Sequence, residues 1–230
     1  MSKTVLIIAA HPDDEILGCG GTMAKHVSQY DKVHVVILAE GLTSRDTVRS
    51  RELRAEELSE LGKAAYKANQ VIGVTSLVLY HYPDNRMDSI DRLDVTKTIE
   101  LFIKQYKPDI VYTHHIGDVN IDHRCIHEAV ITACRPIPGN HIVKDILFFE
   151  VASSTEWQTA GSAFPFTPNY FVDISSTIDI KLKSLEEYES EMREWPHSRS
   201  IRALEHLARW RGASIGTDAA ESFMVGRSIK

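Results

Sequence analysis

The sequence predicts a three-layer, Rossmann-like α/β domain in which helices cover both faces of a mostly parallel sheet. The first observation is a series of short apolar runs rich in β-branched residues, typical of parallel strands buried on both faces. The second is that stretches with helical periodicity separate these runs, which favours right-handed βαβ crossovers. The third is size, since 230 residues, 43% of them hydrophobic, are enough for one sizeable core.

The apolar run at residues 4–10 (TVLIIAA) is too short for a helix and predicts the first, central strand. Further strands are predicted at 33–39, 76–82, 109–114 and 146–151. The helical stretches between the strands are 15–29, 46–73, 91–106 and 123–135. Because ligands bind at the carboxyl ends of strands in such sheets, the residues directly after each strand are the first candidates for chemistry.

The last quarter of the chain has a different pattern, with a strand at 170–174, helices at 177–195 and 199–211, and a short tail. We expect this C-terminal extension, from about residue 170, to pack on one edge of the sheet or to close over its mouth. No internal repeat or Pro/Gly-rich linker divides the chain, so residues 1–230 are expected to form a single domain.

The composition argues against several classes of partner. The formal net charge is -6 and the charges are scattered, which argues against nucleic acid and against an anionic membrane surface. The apolar runs are far shorter than the roughly 18 residues that a membrane span needs. Three cysteines without CxxC spacing, and an N-terminus without a signal-peptide pattern, indicate a cytoplasmic location.

The first predicted strand ends in the sequence AHPDDE (residues 10–15), which places an imidazole and three carboxylates at the ligand-binding edge. Pro12 restricts the backbone so that His11 and Asp14 can turn towards one point. Imidazole and carboxylate are good zinc ligands, and an uncoordinated carboxylate nearby can take a proton from water. Capping of the following helix is an alternative explanation, because acidic residues favour helix N-termini.

The glycines after this motif, in Gly18-Cys-Gly-Gly21, do not match a dinucleotide-binding fingerprint. The fingerprint needs its glycines at the turn and a third glycine where Met23 stands. We expect these small residues to let the helix lie close to the sheet.

A second polar cluster, THHIGDVNIDH, comes at the end of the fourth predicted strand and finishes at His123. Catalytic zinc normally has three protein ligands and one open position, and His11, Asp14 and His123 would supply this set. Asp122 could orient one of the ligands or hold another polar group. His127, one helical turn after His123, is a rival ligand, and ordinary helix surface is its alternative interpretation.

Neighbouring strand residues point to opposite faces of a sheet. His114 ends the fourth predicted strand, and His115 follows it directly. At most one of the two is therefore expected to point into the site.

The two clusters together resemble the PIG-L/LmbE-like N-acetylglucosaminyl deacetylases, which act on N-acetyl amino sugars and related acetamides through zinc. The resemblance rests on the AHPDDE motif at 10–15 and on Asp122-His123, and in element order it spans nearly the whole chain. It implies a set of zinc ligands: His11, Asp14 and His123. It also implies that Asp13 is the general base.

The chain departs from the family pattern at the residue expected to donate a proton or to stabilise the reaction intermediate. Many members have His-Pro-Asp-His where this chain has Asn120-Ile-Asp-His123, and an amide does not donate a proton at neutral pH. The segment at 195–200 (WPHSRS) resembles a Pro-His-x-Arg-Ser element in a branch of the family that also lacks the first His. We expect His197 to supply the acid, from its own subunit or from a neighbour in a homo-oligomer. A surface His in a break between two helices is the alternative.

The expected reaction is hydrolysis of the acetamido group of a small-molecule N-acetyl amino sugar, giving a free amine and acetate. Zn²⁺ is the expected cofactor, and Fe²⁺ would accept the same ligands. Asp122 is placed with Asp13 and His197 among the catalytic residues. Polar residues near the strand ends are candidates for binding the substrate or acetate: Asp84, Arg86, Asn120 and Arg135.

Two alternatives remain open from the sequence. One is another metal-dependent amidase or a phosphoesterase on the same scaffold. The other is a non-enzymatic, metal-dependent sugar-binding protein, which would have no need of a free carboxylate at Asp13 beside the metal.

Overall fold

The structure, a computed structural model, describes residues 2–230. Its strands are β1 (Thr4–Ala9), β2 (Lys32–Ala39), β3 (Ser76–Tyr82), β4 (Ile110–His114), β5 (Asp145–Phe149), β6 (Tyr170–Asp173) and β7 (Ala220–Ser228). Its α-helices are α1 (Asp14–Ser28), α2 (Ala55–Ile72), α3 (Arg92–Tyr106), α4 (Ile121–Ala133), α5 (Ile178–Glu186) and α6 (Ile201–Ala213). Short 3₁₀ turns lie at Thr43–Arg45, Met87–Ser89 and Thr155–Trp157.

The strands form one sheet in the order β3-β2-β1-β4-β5-β7-β6. Strands β1 to β5 run parallel, and β7 pairs antiparallel with both β5 and β6. From β1 the chain builds outward to β2 and β3, and then returns to build β4 and β5 on the other side. The carboxyl ends of β1 and β4 therefore flank the switch point at which such sheets bind ligands.

Helices cover both faces of the sheet, which confirms the predicted three-layer α/β fold. Alternate residues of β1 enter two separate cores, because successive side chains of a strand point to opposite faces. Val5 and Ile7 pack in the core formed with α1 and α2. Leu6 and Ile8 pack in the core formed with α3 and α4.

The glycines of α1 let this helix lie close to its neighbours, as predicted. A Cβ atom added at Gly18 would overlap the Phe149 ring of β5. A Cβ atom at Gly21 would lie 2.7 Å from the Ile174 side chain. This close packing fixes the helix that begins at Asp14.

Two predicted helices are shorter than expected. The first begins at Ala55 rather than at residue 46, because the segment before it folds over the buried carboxylate of Glu40. Arg49 and Arg51 both contact this carboxylate, at 2.7 Å and 2.8 Å. The other helix, α5, ends at Glu186 rather than at residue 195, and turns lead from there to α6.

The predicted short tail is wrong, because residues 220–228 form β7. Its apolar pattern is interrupted by Glu221 and Ser222, which are both buried. Glu221 accepts a hydrogen bond from Lys181 Nζ at 2.6 Å and two more from backbone N–H groups of α1. A charged residue that is neutralised in this way can occupy the interior of a sheet, although its sequence pattern does not indicate a strand.

The C-terminal extension lies at the β5 edge of the sheet, as one of the two expected arrangements. Strands β6 and β7 widen the sheet, α5 packs on α1 and α2, and α6 packs on β7. Within residues 2–230, no helix has both the length and the apolar character needed to cross a bilayer.

Candidate metal centre

The structure brings the three predicted metal ligands together at the carboxyl edge of the sheet. His11 comes after β1, Asp14 begins α1, and His123 lies in the first turn of α4. Asp14 Oδ2 lies 3.2 Å from His11 Nδ1 and 3.2 Å from His123 Nε2. One ligand atom from each residue lies within 4.8 Å of the others.

The donor set and one unsatisfied atom both fit a divalent metal ion. His123 Nε2 is buried and has no hydrogen-bond partner among residues 2–230. A buried imidazole nitrogen without a partner is uncommon and requires an explanation. Two imidazole nitrogens and one carboxylate oxygen are ligands that zinc and iron both accept, and a metal ion would satisfy this nitrogen.

The second ring nitrogen of each histidine contacts a carboxylate. His11 Nε2 lies 3.0 Å from Asp122 Oδ2, and His123 Nδ1 lies 3.1 Å from Asp118 Oδ2. Such outer carboxylates fix the tautomer and the orientation of metal-binding imidazoles. Asp122 is fully buried behind His11, and it also accepts hydrogen bonds from the backbone N–H groups of Asn85 and Met87.

Asp118 received no role from the sequence, although it lies in the second cluster. Its side chain is fully buried and accepts hydrogen bonds from the hydroxyl groups of Ser154 and Thr155. The backbone N–H of Asn120 donates a further hydrogen bond to Asp118, at 2.8 Å. Ser154 and Thr155, which follow β5, supply these hydroxyl groups. This adjacent pair is the sequence signal that could have indicated a partner for Asp118.

The carboxylates make the ligand pocket electrostatically favourable for positive charge. Burial lowers the pKa of His123, but Asp14 and Asp118 outweigh this effect and raise it to about 9. Burial likewise opposes ionisation of Asp14, yet the neighbouring histidines hold its pKa well below the usual range. Burial lowers the pKa of His11, but contacts with Asp122, Asp14 and Asp84 outweigh this effect. The pKa of His11 therefore lies well above its ordinary value. A divalent cation would supply the charge that these carboxylates attract.

Asp13 lies beside the ligand set in an unusual backbone conformation, with φ of 116°. Its side chain is buried, and Arg199 Nη1 donates a hydrogen bond to Asp13 Oδ2 at 3.0 Å. Burial raises the pKa of Asp13, and the Arg199 guanidinium partly offsets this effect. The backbone N–H of Asp13 donates to Glu15 Oε2, while Tyr188 and Asn69 donate to Glu15 Oε1.

A cavity of about 170 Å³ opens over the ligand set. Its lining includes six of the residues predicted from the sequence: His11, Asp13, Asp14, Asp84, Asn120 and His123. Asp84 Oδ1 also lies 3.2 Å from His11 Nε2. Asn120 caps α4, and its side-chain oxygen accepts a hydrogen bond from the backbone N–H of Asp122. The lining also includes residues that no sequence motif indicated, among them Ser44, Arg45 and Glu191. Arg199 lines the cavity as well, and it is the Arg of the Pro-His-x-Arg-Ser element at 195–200.

Four predicted residues do not line this cavity within the described chain: Asp122, which is buried behind His11, and His197, Arg86 and Arg135. His197 Nδ1 accepts a hydrogen bond from the backbone N–H of Arg199, and its ring meets Trp157 edge-on at 5.7 Å. Arg86 is exposed after β3. Arg135 is exposed after α4, and its Nε donates to the carbonyl of Thr132.

The remaining histidines of the second cluster have different surroundings. His114 stacks on His123 with the ring centroids 3.9 Å apart, and its Nε2 accepts from the backbone N–H of Ala10. His115 Nε2 lies instead 2.9 Å from the carbonyl oxygen of Phe164. Only His114 therefore points towards the metal centre, as expected of neighbouring residues at a strand end. His127 Nδ1 donates to the carbonyl of His114. Two possible ligand groups are found in residues 2–230, namely His11 with Asp14 and His123, and His11 with Asp84 and Asp122, and neither contains His127.

Comparison with known proteins finds a matching family model and proteins of similar sequence. Residues 6–134 match the family model described as GlcNAc-PI de-N-acetylase (PIG-L), so the match includes both motifs. The chain is 28% identical over 207 residues to a diacetylchitobiose deacetylase of Thermococcus kodakarensis, covering 84% of this chain and 71% of that protein.

Solved structures share the fold over nearly the full chain. An N,N'-diacetylchitobiose deacetylase from Pyrococcus horikoshii superposes with a TM-score of 0.77 at 23% identity, covering 97% of this chain and 84% of that one. GalB of Pseudomonas putida KT2440, a 4-carboxy-2-hydroxymuconate hydratase, superposes with a TM-score of 0.75 at 21% identity, covering 99% and 98%. At these identities the likeness shows the fold alone, and it is the family model, which matches more than half of the chain, that decides membership. The chain therefore belongs to the GlcNAc-PI de-N-acetylase (PIG-L) family.

Proposed function

We propose that this protein is a zinc-dependent N-deacetylase that removes the acetyl group from an N-acetylglucosamine-type sugar. The observation that carries the proposal is the arrangement around one polar cavity: two imidazoles and one carboxylate within ligand distance, with the Asp13 carboxylate beside them. The diacetylchitobiose deacetylase among its relatives supports an N-acetylated sugar as the substrate class.

His11, Asp14 and His123 would hold the ion, and Asp122 and Asp118 would orient the two imidazoles. When bound, zinc would supply positive charge that activates a water molecule and polarises the amide carbonyl. A catalytic site of this kind requires a base that is not itself a metal ligand. Asp13 is suited to that role because it lines the same cavity.

In the proposed reaction, Asp13 takes one proton from water while the water oxygen bonds to the acetyl carbon. The C–N bond then breaks, its electron pair stays on nitrogen, and a proton must reach that nitrogen. The products are the free amine and acetate. The Asn120 amide, which lines the cavity, is suited to donate a hydrogen bond to the carbonyl oxygen as negative charge develops there.

His197 is our proposed source of the proton for the departing nitrogen. To act as an acid, His197 would be the imidazolium ion, which carries a proton on both ring nitrogens, so the hydrogen bond that its Nδ1 accepts from the backbone N–H of Arg199 would open when the ring takes up its proton. His197 lies two residues from Arg199, which lines the cavity, and the same segment of a neighbouring copy in a homo-oligomer is the alternative source.

The cavity lining suits a hydroxyl-rich substrate. Asp84, Asn85, Ser44 and Asn120 all line it, and residues of these types offer both hydrogen-bond donors and acceptors. We propose that Asp84 and Asn120 contact the sugar. Arg86 and Arg135 are exposed and do not line the cavity of a single copy of the chain. Nothing in this cavity therefore supports the predicted substrate contacts of these two residues.

The test begins with metal analysis of the purified protein, and assays of amine and acetate release come next. We expect close to one zinc per chain and equal yields of amine and acetate from N,N'-diacetylchitobiose. With Asp13→Asn, the release of both products should be lost. Iron in place of zinc would revise the cofactor alone. Release of phosphate from phosphoesters, or sugar binding without turnover in a fully metallated protein, would contradict the proposed function.

A further inference from the structure

The backbone of Asp13 requires external support. A non-glycine residue with φ of 116° lies in a sparsely populated, strained conformation, which persists only when surrounding contacts hold it. Glu15 Oε2 supplies one such contact by accepting the Asp13 backbone N–H at 3.1 Å. This contact fixes the main chain and leaves the carboxylate of Asp13 free to rotate about its side-chain bonds.

Arg199 is the side chain that restrains the carboxylate itself. Its Nη1 donates to Asp13 Oδ2 at 3.0 Å, and no other side chain of residues 2–230 hydrogen-bonds to this carboxylate. The contact engages Oδ2 and leaves Oδ1 without a hydrogen-bond partner in the described chain. Because Asp13 lines the cavity, Oδ1 is the oxygen available to a water molecule there.

The guanidinium of Arg199 is in turn held by two neighbours. Its Nε donates to Ser153 Oγ at 2.9 Å, and its Nη1 lies 3.6 Å from Glu191 Oε2. Glu191 is buried and also accepts two hydrogen bonds from Arg45 Nη2, at 3.0 Å and 2.9 Å. Only 23% of the Arg199 side chain is exposed, so these contacts give the guanidinium a fixed position.

The main chain around Arg199 is equally restrained. Its N–H donates to His197 Nδ1 at 3.0 Å, and its carbonyl accepts from the N–H of Arg193 at 3.2 Å. The next residue, Ser200, caps α6 by accepting the N–H of Ala203 at 3.1 Å. The helix start thereby sets where the Arg199 side chain begins.

We propose that Arg199 is a positioning residue that fixes the Asp13 carboxylate with Oδ1 directed to the reacting water. This inference rests on the proposed function, in which Asp13 is the base. A charge-assisted hydrogen bond is stronger and shorter than a neutral one, and it restricts rotation of the carboxylate. Misplacement of a reacting group by about 1 Å can cost on the order of a hundredfold in rate.

The test compares three variants of the full chain with the wild type. Arg199→Ala should lower kcat on the order of a hundredfold while KM and bound zinc stay near wild-type values. Guanidinium, added far below concentrations that unfold the protein, should restore part of the lost kcat by occupying the vacated space. Arg199→Lys should retain more activity than Arg199→Ala and should not respond to guanidinium, because its ammonium already occupies that space.

Arg202→Ala is the matched control, because Arg202 lies in the helix that begins just after Arg199 and its guanidinium stacks over Trp195 rather than lining the cavity. Its kcat should equal that of the wild type, with and without guanidinium. Where Arg199→Ala does not fold, Arg199→Gln takes its place in the same comparison.

A folded, zinc-loaded Arg199→Ala protein with wild-type kcat would overturn the inference. The inference would also be overturned if guanidinium did not restore the kcat of Arg199→Ala and if Arg199→Lys lost as much kcat as Arg199→Ala. An inactive, zinc-loaded wild type would instead contradict the proposed function, so the two failures are distinguishable.

Discussion

Each proposed histidine ligand has two ring nitrogens, and the structure gives each nitrogen a different neighbour. His11 directs Nδ1 to Asp14 and Nε2 to Asp122. His123 has the reverse arrangement, with Nε2 towards Asp14 and Nδ1 towards Asp118. Both imidazoles are therefore fixed before a metal ion binds, which reduces the cost of ordering the ligands on binding.

The ligand set and the base should separate cleanly by mutation. His11→Ala, Asp14→Ala and His123→Ala should each lose most of the bound metal, because each removes one of three protein ligands. Asp13→Ala should retain its metal and lose turnover. The Asp13 carboxylate that it removes is hydrogen-bonded to Arg199 and does not belong to the ligand set. Metal analysis after gel filtration, paired with amine-release rates, checks both. Normal metal content in the His123 variant would remove it from the set and favour His127.

His197→Ala tests the proposed acid. Loss of a general acid typically lowers turnover on the order of a hundredfold to ten-thousandfold, so the variant should keep its zinc and fold but lose activity by that order. The high-pH limb of its rate profile should also change, because the acid must be protonated to act. His206→Ala is a control on the following helix, where the His206 ring packs against Trp195. Near-normal turnover of the His197 variant would make this residue part of the packing against Trp157.

At the scale of elements, the sequence predicts the segments that have a local periodicity and fails where buried charge interrupts it. The five parallel strands and their helices were predicted within a few residues at most boundaries, because continuous apolar runs and helical spacing are both local patterns. Strand β7 was not predicted, because Glu221 lies inside it and is neutralised by Lys181, which is 40 residues away. Arg199 lies in the WPHSRS segment that the sequence singled out, but its role was not predicted, since its partner Asp13 is 186 residues away.

The Glu221–Lys181 pair predicts an effect on stability. Lys181→Met should lower the free energy of unfolding by about 3 kcal/mol or more, because it leaves a buried carboxylate without its cation. Lys183→Met, on the exposed side of the same helix, is the control and should change stability by less than about 0.5 kcal/mol. Urea unfolding of both variants, monitored by circular dichroism, measures the difference. Equal stability of the two proteins would show that the backbone N–H groups of α1 suffice to hold Glu221.

At the scale of the whole molecule, the metal centre joins segments that are distant in the chain. Its groups come from the ends of β1, β3 and β4, from the loop after β5 and from the segment before α6. The sequence could place the ends of β1 and β4 together, because parallel strands share one carboxyl edge. The strand order could not place the segment before α6, because it does not fix where a C-terminal extension returns to the sheet, and only the resemblance of the WPHSRS element assigned this segment to the site.

This joining of segments by charge makes the stability of the metal-free protein depend on pH. His123 has a pKa raised from 6.5 to about 9 in the fold, so its contribution is fully present below pH 6.5 and is lost as pH rises through 9. Glu15, with a pKa raised from 4.5 to about 7, acts in the same direction but mostly below pH 7. Comparing pH 7 with pH 9 therefore reports on His123 together with His11, whose pKa is also raised by the surrounding carboxylates.

We expect the free energy of unfolding of the chelator-treated protein, measured in urea, to fall between pH 7 and pH 9, because the folded protein gives up the His123 proton over that range. His123→Asn should reduce this loss of stability, because it removes one of the two imidazoles with a raised pKa, the other being His11. With zinc present the trend should reverse, since the imidazoles must be neutral to bind metal and the affinity rises as protons leave. A metal-free wild type as stable at pH 9 as at pH 7 would mean that Asp14 and Asp118 do not hold a proton on His123, and hence that the carboxylates do not prepare this pocket for a cation.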